Sequence, residues 1–414
     1  MSAGKLQAPR GTFDVLPEEG LKRRELYRRT WAVLGRGGYR PFDSPAFEDT
    51  ELFKRGVGES TDIVRKEMFS FEDQGARSLT LRPEGTAPVC RAYVEHGMHK
   101  LPQPVKLWYW GPFFRHERAQ AGRYRQFSQV GIEALGSDDP SLDAEAVLLL
   151  AELLEAAGVR ETTLRISSLG TRESREAYLA GLRRYLREHE GDLSEDVRAR
   201  IEQNPLRAFD AGHEGTRAVM TGAPRLLESL SPEDAEHFAE VRELLDDAGV
   251  SYEVDPTLVR GLDYYTRTVF EFESPKLGAQ SGVGGGGRYD GLVQELGGPP
   301  TPGVGWAAGI ERMLLASETR FPGTPRPVFV AIEEAGTRRA AFGLVTALRE
   351  AGIRSEVEQA GRSLKGQMKH ASRIEARAVA IVGEGIEWRD MDTGEQRPVT
   401  GVQEAVRIAV GLGA

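Results

Sequence analysis

The stretch GPFFRHERAQAGRYRQFSQVGIEALG, residues 111–136, follows one strand-like piece, Val105 to Trp110, and contains another, Gln129 to Ala134; the segment between the two is dense in arginine. Both pieces have the aromatic and aliphatic make-up of half-buried strands. Arg115, Arg118, Arg123 and Arg125 crowd together with Phe114, Tyr124 and Phe127. Guanidinium forks match phosphate oxygens bidentately, and aromatic rings offer a face on which a base can stack, so the mixture suits a triphosphate and a purine. The four arginines alone read rather as a solvated basic hairpin.

Further strand-like pieces fall at Ser78 to Leu81, Leu164 to Ser167 and Val269 to Glu273, which together with the first two predict a mostly antiparallel sheet. Helical spacing of Leu21, Leu26, Tyr27, Trp31 and Leu34 predicts a helix from Pro17 to about Leu34, ended by Gly35, Gly37 and Gly38. DAEAVLLLAELLEAA, residues 143–157, predicts a second, with Asp143 as its cap and Gly158 as its stop. From Thr171 to Gly249 the chain turns to Arg, Glu, Ala and Leu, as an inserted helical module would. FPGTPRP, residues 321–327, reads as a linker, and beyond it strands and helices alternate as in a small α/β unit. The expected boundaries are therefore 1–325, interrupted by 171–254, and 326–414.

With 414 residues, 40% hydrophobic and 28% charged, the composition is that of a globular protein of two or three domains. The longest purely apolar run, Ala146 to Ala151, is far shorter than a membrane span, and residues 1–11 carry no apolar core of a secretory signal. A cytoplasmic protein is expected. Cys90 is the single cysteine, which excludes an internal disulfide and predicts a packing role. The seven histidines show no metal-ligand spacing, so no structural zinc is expected. A net charge of −9 is not that of a nucleic-acid binder, and any RNA contact must use local basic surface. Residues 326–414 are the least acidic part, with 13 Lys and Arg against 12 Asp and Glu.

Three other stretches carry candidate chemistry. RPEGT, residues 82–86, has the make-up of a helix start, with Pro83 in the first turn and Glu84 facing the dipole. RGLDYYTRTVFEF, residues 260–272, reads as an amphipathic strand. GVGGGGRYDGL, residues 282–292, satisfies G-x-G-x-x-G at Gly282, Gly284 and Gly287 but lacks the strand-to-helix setting of a dinucleotide site. Its glycines allow either close backbone approach to a ligand or a plain turn.

Taken together, the wording FRHER…GRYRQFSQ…E resembles motif 2 of the class II aminoacyl-tRNA synthetases, specifically the histidyl-tRNA synthetase family. GYRPFDSPAFEDTELF, residues 38–53, looks like motif 1 with Pro45, and GVGWAAGIERM, residues 303–313, like motif 3 with Arg312. LVRGLDYYTRTVFEF (258–272) and GVGGGGRYDGL are similar to the two histidine motifs of that family.

The resemblance implies an α/β (α+β) fold: a class II antiparallel sheet flanked by helices, a helical insertion and a C-terminal α/β anticodon-binding domain. It implies a homodimer through motif 1 and a ligase that adenylates L-histidine with ATP and transfers it to tRNA(His), with Mg²⁺ carried on the phosphates. Arg115 and Arg260 are then the catalytic cations; Arg123, Tyr124, Phe127 and Arg312 join Arg115 in holding ATP, Phe127 stacking on adenine. Glu84, Gly85, Thr86, Gln129, Glu133, Tyr264 and Tyr265 form the histidine site, and His116 is a candidate positioning residue. Arg118 and Gln120 approach the acceptor end of tRNA(His). Arg362, Lys365, Lys369 and Arg373, spaced 3, 4 and 4 apart and continued by Arg377, give one helix face a basic stripe opposite Leu364, Met368, Ala371 and Ile374. Such a stripe is compatible with a solvated face, and the resemblance assigns it to RNA phosphates. Three residues depart from the family pattern: Ala119 and Ala121 stand in place of a proline and a lysine, and Ser128 in place of a frequent histidine. The catalytically silent regulatory paralogue of ATP phosphoribosyltransferase shares this core but lacks the C-terminal domain and the RGLDYY element.

Overall fold

The computed structural model describes residues 5–59, 61–118, 122–278, 281–321 and 323–411. The chain divides into two compact units, Met1–Phe321 and Pro322–Ala414. The first is built on an eight-stranded sheet in the order Arg40–Pro41, Val105–Phe114, Gln126–Leu135, Gly303–Gly309, Gly282–Arg288, Thr266–Glu273, Thr163–Ser168, Glu253–Val254. Its six inner strands pair antiparallel, and only the two-residue edge strands pair parallel, so the sheet is mixed at its rims. Ser78–Leu81 is not part of it. That strand lies between Phe47–Asp49 and Phe69–Glu72 in a separate three-stranded sheet.

Period-2 alternation sends the two faces of the large sheet into two cores. Trp108, Ile132 and Trp306 pack with Leu26, Leu34, Leu150 and Leu153 from helices Pro17–Arg36 and Pro140–Ala156. Tyr109, one residue on, turns the other way, toward Val89, Cys90 and Tyr93 of helix Thr86–Glu95. Cys90 is fully buried there.

Two helix ends differ from expectation. The first helix runs through Gly35 and is capped at Gly37. The second starts at Pro140, because Asp139 accepts from Ser141 N and the proline pre-sets the helical φ at the first position. Asp143 is thereby released from capping. It is fully buried and pairs with Arg288, whose Nε lies 3.0 Å from Oδ2, so a long-range ion pair claims the carboxylate.

Between Thr163–Ser168 and Glu253–Val254 the chain is helical, with Arg172–Glu188, Glu195–Arg198, Glu214–Thr221 and Pro232–Asp247 capped by Thr171, Ser194, His213 and Ser231. Leu182, Leu186 and Met220 of this region join the core containing Tyr109, whereas Phe238, Val241 and Leu245 join the core containing Trp108.

The second unit is a five-stranded sheet in the order Ser355–Val357, Val328–Ile332, Ala378–Val382, Ile386–Asp390, Gln396–Val399. Its first three strands are parallel and the last two complete antiparallel pairs. Arg338–Glu350 and Val402–Gly411 cover one face, and Leu364–Arg373 covers the other. Among the described residues no helix is long and apolar enough to cross a membrane.

Candidate active site

A cleft of about 600 Å³ is lined along the sheet by Gly282, Gly284, Gly285 and Ala307, where side chains are absent or minimal. At Gly285 a Cβ would lie 2.5 Å from Phe270 O, so the strand admits only hydrogen at that point. Arg115, Arg123, Arg260 and Arg312, from distant parts of the chain, all line this one cleft, together with Tyr124, Phe127 and Gln129.

Each cation is held by a different device. Arg115 follows the Val105–Phe114 strand; its Nε donates to Pro83 O at 2.8 Å and its guanidinium lies 5.4 Å from the Phe127 ring centroid. One face of Phe127 therefore carries Arg115. Arg123 pairs with Glu117 at 3.1 Å. Arg260 is not on a strand, as its motif suggested, but in the loop before Thr266–Glu273, where Nη1 meets Glu271 at 2.9 Å. Burial opposes its charge, but Glu271 and Tyr265 outweigh that effect and raise its pKa. Arg260 Nε and Gln129 Oε1 are buried with no hydrogen-bond partner among the described residues, so a donor and an acceptor remain for a ligand. Arg312 sits in the first turn of helix Ile310–Ala316.

Next to the cleft is a buried cluster of carboxyls and phenols. Glu84 accepts from the backbone of Thr86 and Ala87 at 2.8 and 2.9 Å and so caps helix Thr86–Glu95; Pro83 precedes that helix rather than entering its first turn. Glu133 accepts from Thr86 Oγ1 at 2.7 Å, Tyr109 OH at 3.3 Å and Tyr289 OH at 2.5 Å. Burial pushes the Glu133 carboxyl up to about 8, against the lowering effect of the Tyr289 and Thr86 hydroxyls, and Glu84 adds to the rise. The Tyr264 and Tyr265 rings pack at a 55° tilt with centroids 4.7 Å apart, and Tyr264 OH reaches Glu84 at 3.5 Å. Gly85 and Gly131 leave room for Tyr109: a Cβ at either would lie 2.4 or 2.3 Å from its Cζ.

The loop carrying Arg260 and the two tyrosines is clamped by the helical insertion. Arg175 Nη1 donates to Tyr265 O at 2.9 Å, Asn204 Nδ2 to Asp263 at 2.6 Å and Arg207 Nη2 to Gly261 O at 3.3 Å. None of these three, nor Glu271, Tyr109 and Tyr289, stood out in the sequence. Tyr109 faces Gly131 across the sheet, two residues from Glu133, so its role emerges only once the strand register is fixed.

Other candidates lie elsewhere. Gln120 lies outside the described residues, and Arg118 is exposed. His116 is exposed, its backbone N bonded to Glu67 O at 2.7 Å and its ring against Phe69, and it is not among the residues that line the cleft, although Glu67, Arg115 and Glu117 are. Ser128 points its Oγ at Arg23, 3.1 Å away. In the second unit Lys365, Lys369 and Arg373 are exposed on helix Leu364–Arg373, while Leu364, Met368, Ala371 and Ile374 pack beneath it. The basic stripe is shorter than its spacing suggested. Arg362 precedes the Ser363 cap and pairs with Glu358 at 3.1 Å, and Arg377 lies past the helix end and donates to Ala409 O.

A mainly antiparallel sheet with an arginine-lined, nucleotide-sized cleft beside a buried carboxyl–phenol cluster, joined to an α/β unit, is the organisation of a class II aminoacyl-tRNA synthetase. The histidyl-tRNA synthetase family model matches residues 11–313, and an anticodon binding domain model matches residues 328–408. The chain belongs to the histidyl-tRNA synthetase family. It is 49% identical over 402 residues to the histidine–tRNA ligase of Desulforamulus reducens, covering 95% of this chain and 96% of that one. The histidine–tRNA ligase of Rubrobacter xylanophilus is 48% identical over 408 residues, with 95% and 96% covered. The crystal structure of apo S. aureus histidyl-tRNA synthetase superposes with a TM-score of 0.82 at 34% identity, covering 98% of this chain and all of that one. A Bacillus halodurans structure titled ATP phosphoribosyltransferase regulatory subunit/histidyl-tRNA synthetase shares the fold, with a TM-score of 0.68 at 23% identity over 92% of this chain and 99% of that one.

Proposed function

We propose that the chain joins histidine to tRNA(His) in two steps, adenylation by ATP followed by transfer to the tRNA 3′ end. The convergence of Arg115, Arg123, Arg260 and Arg312 on one cleft beside Glu84, Glu133 and Tyr264 carries this reading. Adenylation forms a bond between the histidine carboxylate oxygen and the α-phosphorus while the bond to pyrophosphate breaks, so two anions must be brought together. Fixed cations neutralise that approach and the charge developing on phosphate oxygens, and no protein nucleophile is needed. Arg115 and Arg260 are assigned to the α-phosphate and substrate carboxylate, and Arg123 and Arg312 to the far phosphates. Mg²⁺ enters on the triphosphate as part of the substrate. Tyr124 and Phe127 are assigned to adenine. Glu84, with Thr86 and Gln129, takes the histidine ammonium; Glu133 and Tyr265 take the ring, Tyr264 and Gly85 completing the wall.

Wild-type protein is expected to catalyse histidine-dependent ATP–pyrophosphate exchange and to charge tRNA with radiolabelled histidine. Absence of exchange in folded protein would favour a catalytically silent regulatory subunit instead.

The tRNA(His) partner is assigned two surfaces: Arg118 and Gln120 for its acceptor end, and Lys365, Lys369 and Arg373 of the anticodon-binding domain for phosphates, Arg362 being taken up by Glu358. Reversing Lys365, Lys369 and Arg373 to glutamate should weaken tRNA binding and flatten its dependence on log[salt] by about 2, for three single-strand phosphate contacts. Exchange should persist, and an unchanged salt slope in a filter-binding titration rejects this surface. A homodimer through the motif 1 region is supported by Phe47 and Phe71, exposed by 49% and 44% with rings 6.2 Å apart. Sedimentation at the mass of one chain would refute it. The cytoplasm, where charging takes place, is the compartment this reading implies.

A further inference from the structure

The N-terminal turn Pro9–Phe13 is used by none of the assignments above, yet it is built into the arginine-rich hairpin. Thr12 N and Oγ1 both donate to Pro9 O, at 3.0 and 2.8 Å, closing a turn that presents Gly11 O to Arg125 N at 2.7 Å. Arg125 O in turn accepts from Arg115 N at 3.0 Å, so Gly11 adds a rung beside the cation assigned to the α-phosphate. Gly11 holds φ +86°, and a Cβ there would meet Arg125 Cγ at 2.8 Å, which leaves glycine as the residue that fits.

Two residues further, the Phe13 ring packs on Tyr124, a cleft-lining residue, with centroids 4.6 Å apart. Arg23 also packs on Phe13, its guanidinium carbon 5.7 Å from the ring centroid. Arg23 is itself fixed by Glu311 at 2.9 Å and Ser128 Oγ at 3.1 Å, and Ser128 N donates to both Glu311 oxygens at 3.0 Å. Glu311 immediately precedes Arg312. One chain of contacts, Tyr124–Phe13–Arg23–Glu311, therefore ties the aromatic wall of the cleft to the helix that carries its opposing arginine.

We propose that Phe13 and Gly11 are positioning residues for ATP: they fix Tyr124 and the arginine hairpin against the Arg312 helix and touch no substrate themselves. The inference rests on the cleft being the ATP site, and it adds to that site an element that lies far from the hairpin in sequence, near the start of the chain. Phe13 is 39% exposed, so its loss opens no core cavity and should leave thermal stability unchanged. The effect of losing Phe13 should fall on ATP, because its ring contacts are to Tyr124 and Arg23 and none is to Glu84, Glu133 or Tyr264.

The test is exchange kinetics on the full chain, varying ATP at saturating histidine and then the reverse. Phe13→Ala should raise KM for ATP about 3- to 10-fold, the range of an aromatic pair, with KM for histidine and Tm unchanged. Phe13→Tyr should restore the wild-type value, and Gly11→Ala should raise KM for ATP further because it displaces Arg125. Wild-type KM for ATP in both Phe13→Ala and Gly11→Ala overturns the proposal, as does a parallel rise of both KM values with a fall in Tm. If wild-type protein shows no exchange at all, the ATP reading of the cleft fails instead, which distinguishes the two.

Discussion

Replacing Arg260 by alanine is expected to lower kcat of histidine-dependent exchange about 10²- to 10³-fold, or about 2.7–4 kcal/mol of transition-state stabilisation, the cost of removing one preorganised donor. KM for either substrate should change little, because the charge is required as the carboxylate meets the α-phosphorus rather than when each substrate binds alone. The structure supplies the preorganisation: Glu271 at 2.9 Å fixes one end of the guanidinium, the insertion clamps the loop through Arg175, Asn204 and Arg207, and Nε is buried with no partner among the described residues. A competing explanation is that the variant is slow only because Glu271, left unpaired, repels the triphosphate. The double variant Arg260→Ala/Glu271→Gln separates the two. It should remain as slow as the single variant, whereas recovery of rate to near wild type would remove Arg260 from the chemistry.

What could be read before any coordinates follows a physical division. Strand pieces at 105–110 and 129–134 were legible because alternation and aromatic content are local properties, and the arginine-rich hairpin between them because its residue types announce phosphate chemistry. Roles that depend on register or on distant partners were not legible. Asp143 has the local credentials of a cap, but Arg288, far along the chain, binds it and Asp139 does the capping. The length of the basic stripe was overestimated for the same reason, since Glu358 and the Ala409 carbonyl draw Arg362 and Arg377 out of it. Arg260 was assigned by family wording alone, because a loop held by an inserted module leaves no periodic trace. Tyr109 is an ordinary strand aromatic and Tyr289 a residue just past a strand end until pairing brings both hydroxyls onto one carboxylate.

That carboxylate makes the second large prediction. Glu133→Gln should lower kcat/KM for histidine about 10- to 100-fold, the loss of one charge-assisted bond in a dry site, while KM for ATP stays at the wild-type value. The pH profile should show why. In the folded protein Glu133 titrates at about 8, against an ordinary value of 4.5, so between those two pH values the folded state holds a proton that the unfolded state has lost. Stability must therefore fall as pH rises through that window, and Glu133→Gln, which has no proton to lose there, should gain Tm relative to wild type toward alkaline pH. Binding follows from the same proton count. A free imidazole titrates near 6.5, and the Glu133–imidazole pair in a low-dielectric pocket favours holding one proton between its members. Below about 6.5 the incoming ring must shed a proton, and above about 8 the pair must capture one, so wild-type affinity for histidine should be highest between these limits. In Glu133→Gln the alkaline limb near 8 should disappear, leaving only that of the substrate ammonium. If KM for histidine in the variant follows the wild-type pH profile, Glu133 does not hold the ring, and the pocket beside the arginine cleft needs a different ligand.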